Sequence, residues 1–313
     1  MVQSRTSTRR KSKFFRKEDL ALYVMSLPAV VWLFIFCYIP MVGLIIAFQK
    51  FNNTLGIFGS AFVGFDNFKF LFTTSDAWLI TRNTVLYNLV FIVVNMLLAL
   101  CIAMMLSMLR SQRGAKILQT VFMMPYFLSY AVINIVVFAF LDRSNGMTNS
   151  VMEVLGLAGN TNWYQKVALW PGLLIGLNAW RGVGFQTVLF LAVISGINKD
   201  FYEAAMLDGA TKFQQAQYVT LPHLRFVASI SIIMAMANIF RADFGLFYVV
   251  TRNTGTLYPV TQVIDSYIYN GLTKMSNVGM TAAAGMYQSV VGLLLVLVVN
   301  WIVTKIDPDS AMF

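Results

Sequence analysis

Asn178, Arg181, Gly182 and Phe185 fall at i, i+3, i+4 and i+7 inside an apolar run. On a helix this spacing gives one face an amide, a guanidinium, a gap and an aromatic ring. Planar polar groups bind hydroxyls, an aromatic ring packs on the apolar face of a sugar ring, and the gap admits a bulky solute. A charge inside a membrane costs roughly 2.5–3.5 kcal/mol on insertion scales, so it faces protein or water. Asn238, Arg241 and Ala242 form a second set at i, i+3 and i+4, with Asp243 adjacent. Asp243 is the acid available to either arginine. The plainer reading is that the charges only pair with each other and that Gly182 serves close helix packing.

Other reactive side chains are sparse. The single His223 follows Pro222 and makes no metal site alone. Cys37 and Cys101 both lie in apolar runs and read as small apolar core residues. Asn88 and Asn95, seven apart, are expected to hydrogen-bond between helices. No nucleophile–base pair or metal cluster shares a depth, so no catalytic residues are nominated. The phosphate-binding pattern G-x-x-x-x-G-K-[ST] is absent, so this chain is not itself an ATPase.

The elements that must hold these groups are set by the apolar content: 58% of the 313 residues are hydrophobic, 12% are charged, and the mean hydropathy is +0.69. Such a chain belongs in a membrane. A helix needs about 20 mostly apolar residues to cross roughly 30 Å of hydrocarbon. Gaps between charges give six spans: Asp19 to Lys50, Arg82 to Arg110, Lys116 to Asp142, Lys166 to Lys199, Phe226 to Phe240, and Lys274 to Lys305. The fifth is short unless Arg241 and Asp243 also lie at membrane depth. Pro28, Pro40 and Pro125 read as kinks or helix ends. The first run is too long for a signal-peptide core and is expected to remain as an anchor. The net charge of +10 reflects a cationic N-terminal tail rather than a nucleic-acid surface. The Lys/Arg distribution places both termini in the cytoplasm.

Between the fourth and fifth spans lies EAAMLDGATKFQQAQYVTLP, from Glu203 to Pro222. Asp200 can cap a short helix whose third position is Glu203, and Gly209 can stop it in the left-handed region. A second short helix fits about Ala210 to Val219, with Pro222 setting a boundary before the fifth span. Small residues permit close approach, and Phe201, Leu207, Phe213 and Tyr218 supply apolar contacts. This is a helix-turn-helix suited to docking in a groove, or an amphipathic loop resting on the membrane.

The pattern Glu203-Ala204-Ala205, three residues to Gly209, then nine more to Val219-Thr220-Leu221-Pro222, resembles the EAA loop of binding-protein-dependent ABC import permeases. YIPMVGLIIAFQKF, FVGFDNFKFLF, TLYPVTQVIDSYIYNGL and VVNWIVTKI look like the oligo- and polysaccharide-type, maltose-permease-like branch. The resemblance covers nearly the whole chain. It implies an all-α membrane protein of six transmembrane helices with a cytoplasmic coupling helix between the fourth and fifth. Glu203, Ala204, Ala205, Asp208, Gly209, Leu221 and Pro222 would then couple to the ATPase. In the resembled maltose-type permeases, the positions of Asn178, Arg181, Gly182 and Phe185 contact the sugar. The position of Arg181 is apolar there, and this departure points to a more polar or acidic glycan. The stretch containing Asn238, Arg241 and Asp243 is implied to line the path as well.

The domain organisation expected is a basic cytoplasmic tail (1–19), a permease domain (20–306) with its coupling loop at 200–222, and a cytoplasmic C-terminal tail (307–313). The expected function is one permease subunit of a carbohydrate importer in a bacterial plasma membrane. It would bind no cofactor or metal itself, since ATP and Mg belong to the partner ATPase. The implied partners are a second permease chain, a cytoplasmic ATPase dimer, an extracytoplasmic solute-binding protein, an oligosaccharide and membrane lipid. The alternative class is an ion-coupled secondary transporter, which would need coupling-ion carboxylates and usually internal repeats. Asp243 is the one intramembrane acid that the sequence nominates for such a role.

Overall fold

The computed structural model describes residues 20–157, 159–274 and 277–306; the two tails, 1–19 and 307–313, lie outside the described residues. Five helical stretches are long and apolar enough to cross a membrane: Leu22–Phe48, Ser75–Ser107, Val167–Ser195, Lys212–Ala237 and Val278–Lys305. Gln112–Phe127 and Tyr130–Leu141, meeting at 94°, complete the expected six when counted as one bent span, the third in chain order. The bend has a local cause. Pro125 sits in the tight turn Met124–Phe127, and Ser129 restarts the helix by accepting the Val132 amide at 3.4 Å.

The fifth span differs from its sequence-based reading. Thr211 and Gln214 form a capping box that starts helix at Lys212, and a wide turn at Ala216–Thr220 leads directly into Leu221–Ala237. Pro222 lies in the first turn of Leu221–Ala237, where its missing amide is tolerated, and the wide turn before it carries the helical run across that boundary. The span gains its length toward the stretch Glu203–Pro222 and does not need Arg241 and Asp243 within its helix.

Association inside lipid depends on close packing and hydrogen bonding. The second and fourth spans make the most extensive contact, with Met96, Ala99, Ala103, Ala179, Val183 and Phe190 in one buried cluster. Gly184 lets the fourth span touch the third at backbone level, since a Cβ there would stand 1.9 Å from the Phe122 carbonyl oxygen. A second cluster joins Tyr87, Phe91, Ile133, Trp170 and Phe247. A third joins Ala47, Ile80, Ile239 and Ala283 to Ile264 and Tyr267 of the helix Ile264–Thr273, so a segment that reads as outer loop folds back onto the spans.

The first span packs on its own chain chiefly through Ile39–Phe48 against the sixth. Cys37 and Cys101 are both exposed, not core, because their helical faces point away from the packed interior. Among the described residues the strand pairing is a two-residue antiparallel ladder, Gln49 with Phe62 and Lys50 with Ala61.

Candidate functional site

The helix of the fifth span ends at Ala237, and residues 238–243 are unwound. Asn238, Arg241 and Ala242 therefore do not share a helical face as expected; the Arg241 amide instead donates to the Asn238 carbonyl at 2.9 Å in a turn. Freed backbone groups in a membrane need other partners. Asn88 Nδ2 donates to the carbonyls of Ile239 (2.7 Å) and Arg241 (3.2 Å), and Gln288 Nε2 donates to that of Phe240 (2.6 Å). The Ala242 amide donates to Asp265 Oδ2 at 2.7 Å, which also accepts from Gln288 at 3.1 Å. Three side chains from three elements thus replace the lost helical bonds.

This unwound stretch borders a cavity of about 210 Å³. Asn178, Asn238 and Arg241 line it together, joined by Asn88, Asn95 and Gln186. Asn95 Nδ2 donates to Asn178 Oδ1 at 2.9 Å, while its own Oδ1 is buried without a partner. Asn238 and Arg241 also line a neighbouring cavity of about 230 Å³ with Gln288 and Ser289. The Arg241 guanidinium makes no ion pair or hydrogen bond among the described residues.

Arg181 takes a different direction from Asn178, although the two share a helical stripe. Its guanidinium lies over the rings of Tyr130 (4.4 Å to the centroid) and Tyr126 (5.5 Å), and it donates to the Tyr130 hydroxyl at 3.2 Å and the Leu128 carbonyl at 3.4 Å. The Tyr130 hydroxyl in turn donates to Asp243. Neither arginine forms the expected direct pair with Asp243; among the described residues the ion pair present is Lys69 with Asp66. The bend of the third span is what inserts Tyr130 between them. Gly245 makes room for it, since a Cβ there would fall 2.1 Å from the tyrosine ring. Asp243 Oδ1 also accepts the Gly245 amide at 3.1 Å. Phe185, 54% exposed, stacks on Tyr126 at 4.9 Å, and Gly182 stands beside Asn95.

Tyr130, Asp265 and Gln288 escape a reading of the sequence. Gln288 alone carried a signal, a polar side chain within an apolar helix. Asp265 sits in a segment that looks like outer loop and only the fold brings it to residues 238–243.

At the opposite end, Asn198, not Asp200, caps the helix Lys199–Leu207 by accepting the Asp200 amide at 3.1 Å. Gly209 ends it with φ of +78°. Glu203, Ala204 and Asp208 are exposed and Ala205 half-buried; Leu207 is 90% exposed, and Phe213 and Tyr218 are exposed too. The Tyr202 and Thr220 hydroxyls lie 2.9 Å apart, fastening this helix to the root of the fifth span. Leu221 and Pro222 line a shallow cavity with Leu100. On the far side of the molecule, burial pushes the Tyr164 phenol above its ordinary range, against the opposing Arg252 guanidinium.

The polygalacturonan/rhamnogalacturonan transport system permease protein YteP of Bacillus subtilis (strain 168) is 28% identical to this chain over 294 residues, covering 92% of this chain and 89% of that protein. A crystal structure of a bacterial ABC transporter involved in the import of the acidic polysaccharide alginate superposes with a TM-score of 0.84 at 28% identity, over 93% of this chain and 97% of the other. The alginate transporter in complex with its alginate pentasaccharide-bound periplasmic protein gives 0.82 at 28% identity, over 93% and 96%. The family model described as "Binding-protein-dependent transport system inner membrane component" matches residues 95–309, and the chain belongs to that family, the permease subunits of ABC importers.

Proposed function

We propose that this permease imports oligosaccharides bearing carboxylates, supplying half of the translocation path and one coupling helix. The observation that carries the reading is Arg241, a guanidinium without an acid partner among the described residues, held on unwound backbone beside Asn178 and Asn238. A cation kept unpaired at such a cavity suits a passing anion, and guanidinium matches carboxylate geometry. The amides offer donors and acceptors to hydroxyls. Arg181, Gly182 and Phe185 lie outside the lining of that cavity, further along the same helix as Asn178, with Asp243 fixing Tyr130 beneath Arg181. The names of the relatives, one for polygalacturonan/rhamnogalacturonan and one for the acidic polysaccharide alginate, support the same substrate class.

Coupling follows from one continuous element. The stretch Lys212–Ala237 begins shortly after the helix Lys199–Leu207, which carries the exposed Glu203, and ends next to Asn238, so a push at one end reaches the solute residues at the other as a rigid-body movement. Glu203, Ala204, Ala205, Asp208 and Gly209 would sit in a cleft of the cytoplasmic ATPase, which holds ATP and Mg, with Leu221 and Pro222 at the root of the rod. One chain offers one such helix, so an ATPase dimer needs a second permease. An extracytoplasmic solute-binding protein delivers the sugar, as the complexed alginate transporter suggests. Both termini then face the cytoplasm of a bacterial cell.

The test is ATPase activity of the complete assembly in lipid, with its binding protein, across neutral and uronate-containing oligosaccharides. Stimulation by uronates that Arg241→Gln abolishes supports the reading. Equal stimulation by neutral and acidic sugars in both proteins overturns the acidic assignment.

A further inference from the structure

A further cavity, of about 550 Å³, lies among the ends of the second and fourth spans, the start of the third, and the helical pair at 199–220. Lys116, Lys199 and Lys212 line it from three different helices, and no Asp or Glu does. None of the three has a carboxylate within ion-pair distance among the described residues. Lys212 Nζ donates to the Met108 carbonyl at 3.2 Å, while Lys116 and Lys199 make no side-chain hydrogen bond there. The neighbouring Asp200 is engaged by Asn198 Nδ2 at 2.9 Å. Three like charges around one space repel, and each is stabilised by an anion placed between them. The cavity also has an apolar wall that includes Leu109, Leu191 and Ile194. A free phosphate has no use for that wall, whereas a phosphodiester attached to acyl chains uses both surfaces. Basic pockets between membrane helices on the cytoplasmic side suit acidic lipid headgroups.

We infer that this cavity holds the headgroup of an anionic phospholipid, which bridges the coupling helices to the third span. The lipid ties the element that meets the ATPase to a span other than the fifth. The choice of leaflet and the link to the ATPase rest on the placement and role of Glu203–Pro222 proposed above.

The test uses the complete transporter purified from mixed phosphatidylcholine and phosphatidylglycerol vesicles, with co-purifying lipid measured by mass spectrometry and no transport substrate present. K116Q/K199Q/K212Q is expected to retain about tenfold less phosphatidylglycerol relative to phosphatidylcholine than wild type. The corresponding triple arginine variant and Lys69→Gln, which alters a lysine paired with Asp66, should retain the wild-type amount. Wild-type retention in the triple glutamine variant overturns the proposal. Where that variant does not assemble, Lys116→Gln alone, outside the coupling helices, is read the same way. Displacement of phosphatidylglycerol from wild type by inorganic phosphate would assign the site to free phosphate and overturn the lipid assignment. Loss of lipid retention with unchanged sugar specificity separates this proposal from the one for Arg241.

Discussion

Arg181 and Asp243 meet through a single phenol: the Tyr130 hydroxyl accepts from the guanidinium at 3.2 Å and donates to the carboxylate. Tyr130 fits only because position 245 has no side chain. The bent third span, the fourth span and the chain after the fifth are thereby locked at one point.

Gly245→Ala should destabilise the permease by about 1–3 kcal/mol, because the added methyl collides with a ring that is packed on its other side. The change in the thermal unfolding midpoint should shrink in a Tyr130→Ala background, since the two effects share one space. Additive shifts would show that Gly245 is needed for some other reason.

Asn88→Leu should abolish transport and lower the unfolding midpoint, because the Ile239 and Arg241 carbonyls lose their donor. Asp265→Asn, which keeps an acceptor for the Ala242 amide, should be milder than Asp265→Leu. Uptake of labelled solute into vesicles compares the three; near-normal uptake in Asn88→Leu would mean the unwound stretch holds without that amide.

Arg181 and Arg241 should part in their effects. Arg181 has partners in the protein, so Arg181→Ala should reduce stability as well as uptake, whereas Arg241→Gln should leave unfolding within about 0.5 kcal/mol of wild type and remove uronate-stimulated hydrolysis. Paired measurements of melting and ATPase activity distinguish the two patterns. Identical behaviour of the two variants would place both arginines in the same role.

Glu203→Lys should leave the spans folded, since Glu203 is exposed and makes no ion pair or side-chain hydrogen bond among the described residues, yet abolish substrate-stimulated ATPase activity. Normal stimulation in that variant would remove Glu203 from the coupling surface.

The number of spans, the polar interruption at Glu203–Pro222 and its two short helices around Gly209 were legible because they depend on local properties, apolar run length and one left-handed glycine, although the cap is Asn198, two residues before the expected Asp200. Asn178, Asn238 and Arg241 stood out for a similar reason, being polar groups where apolar ones are expected. Helical spacing misled at the second set, because the local pattern continued a helix that the fold ends at Ala237. The backbone there unwinds only where Asn88, Gln288 and Asp265 arrive from distant parts of the chain to take up its hydrogen bonds. Likewise, two charges near in depth suggest a salt bridge, but a 94° bend places Tyr130 between them. Periodicity describes one helix at a time. The partners of a buried charge and the satisfaction of an unwound segment depend on packing between helices, and that was settled by the assembled chain.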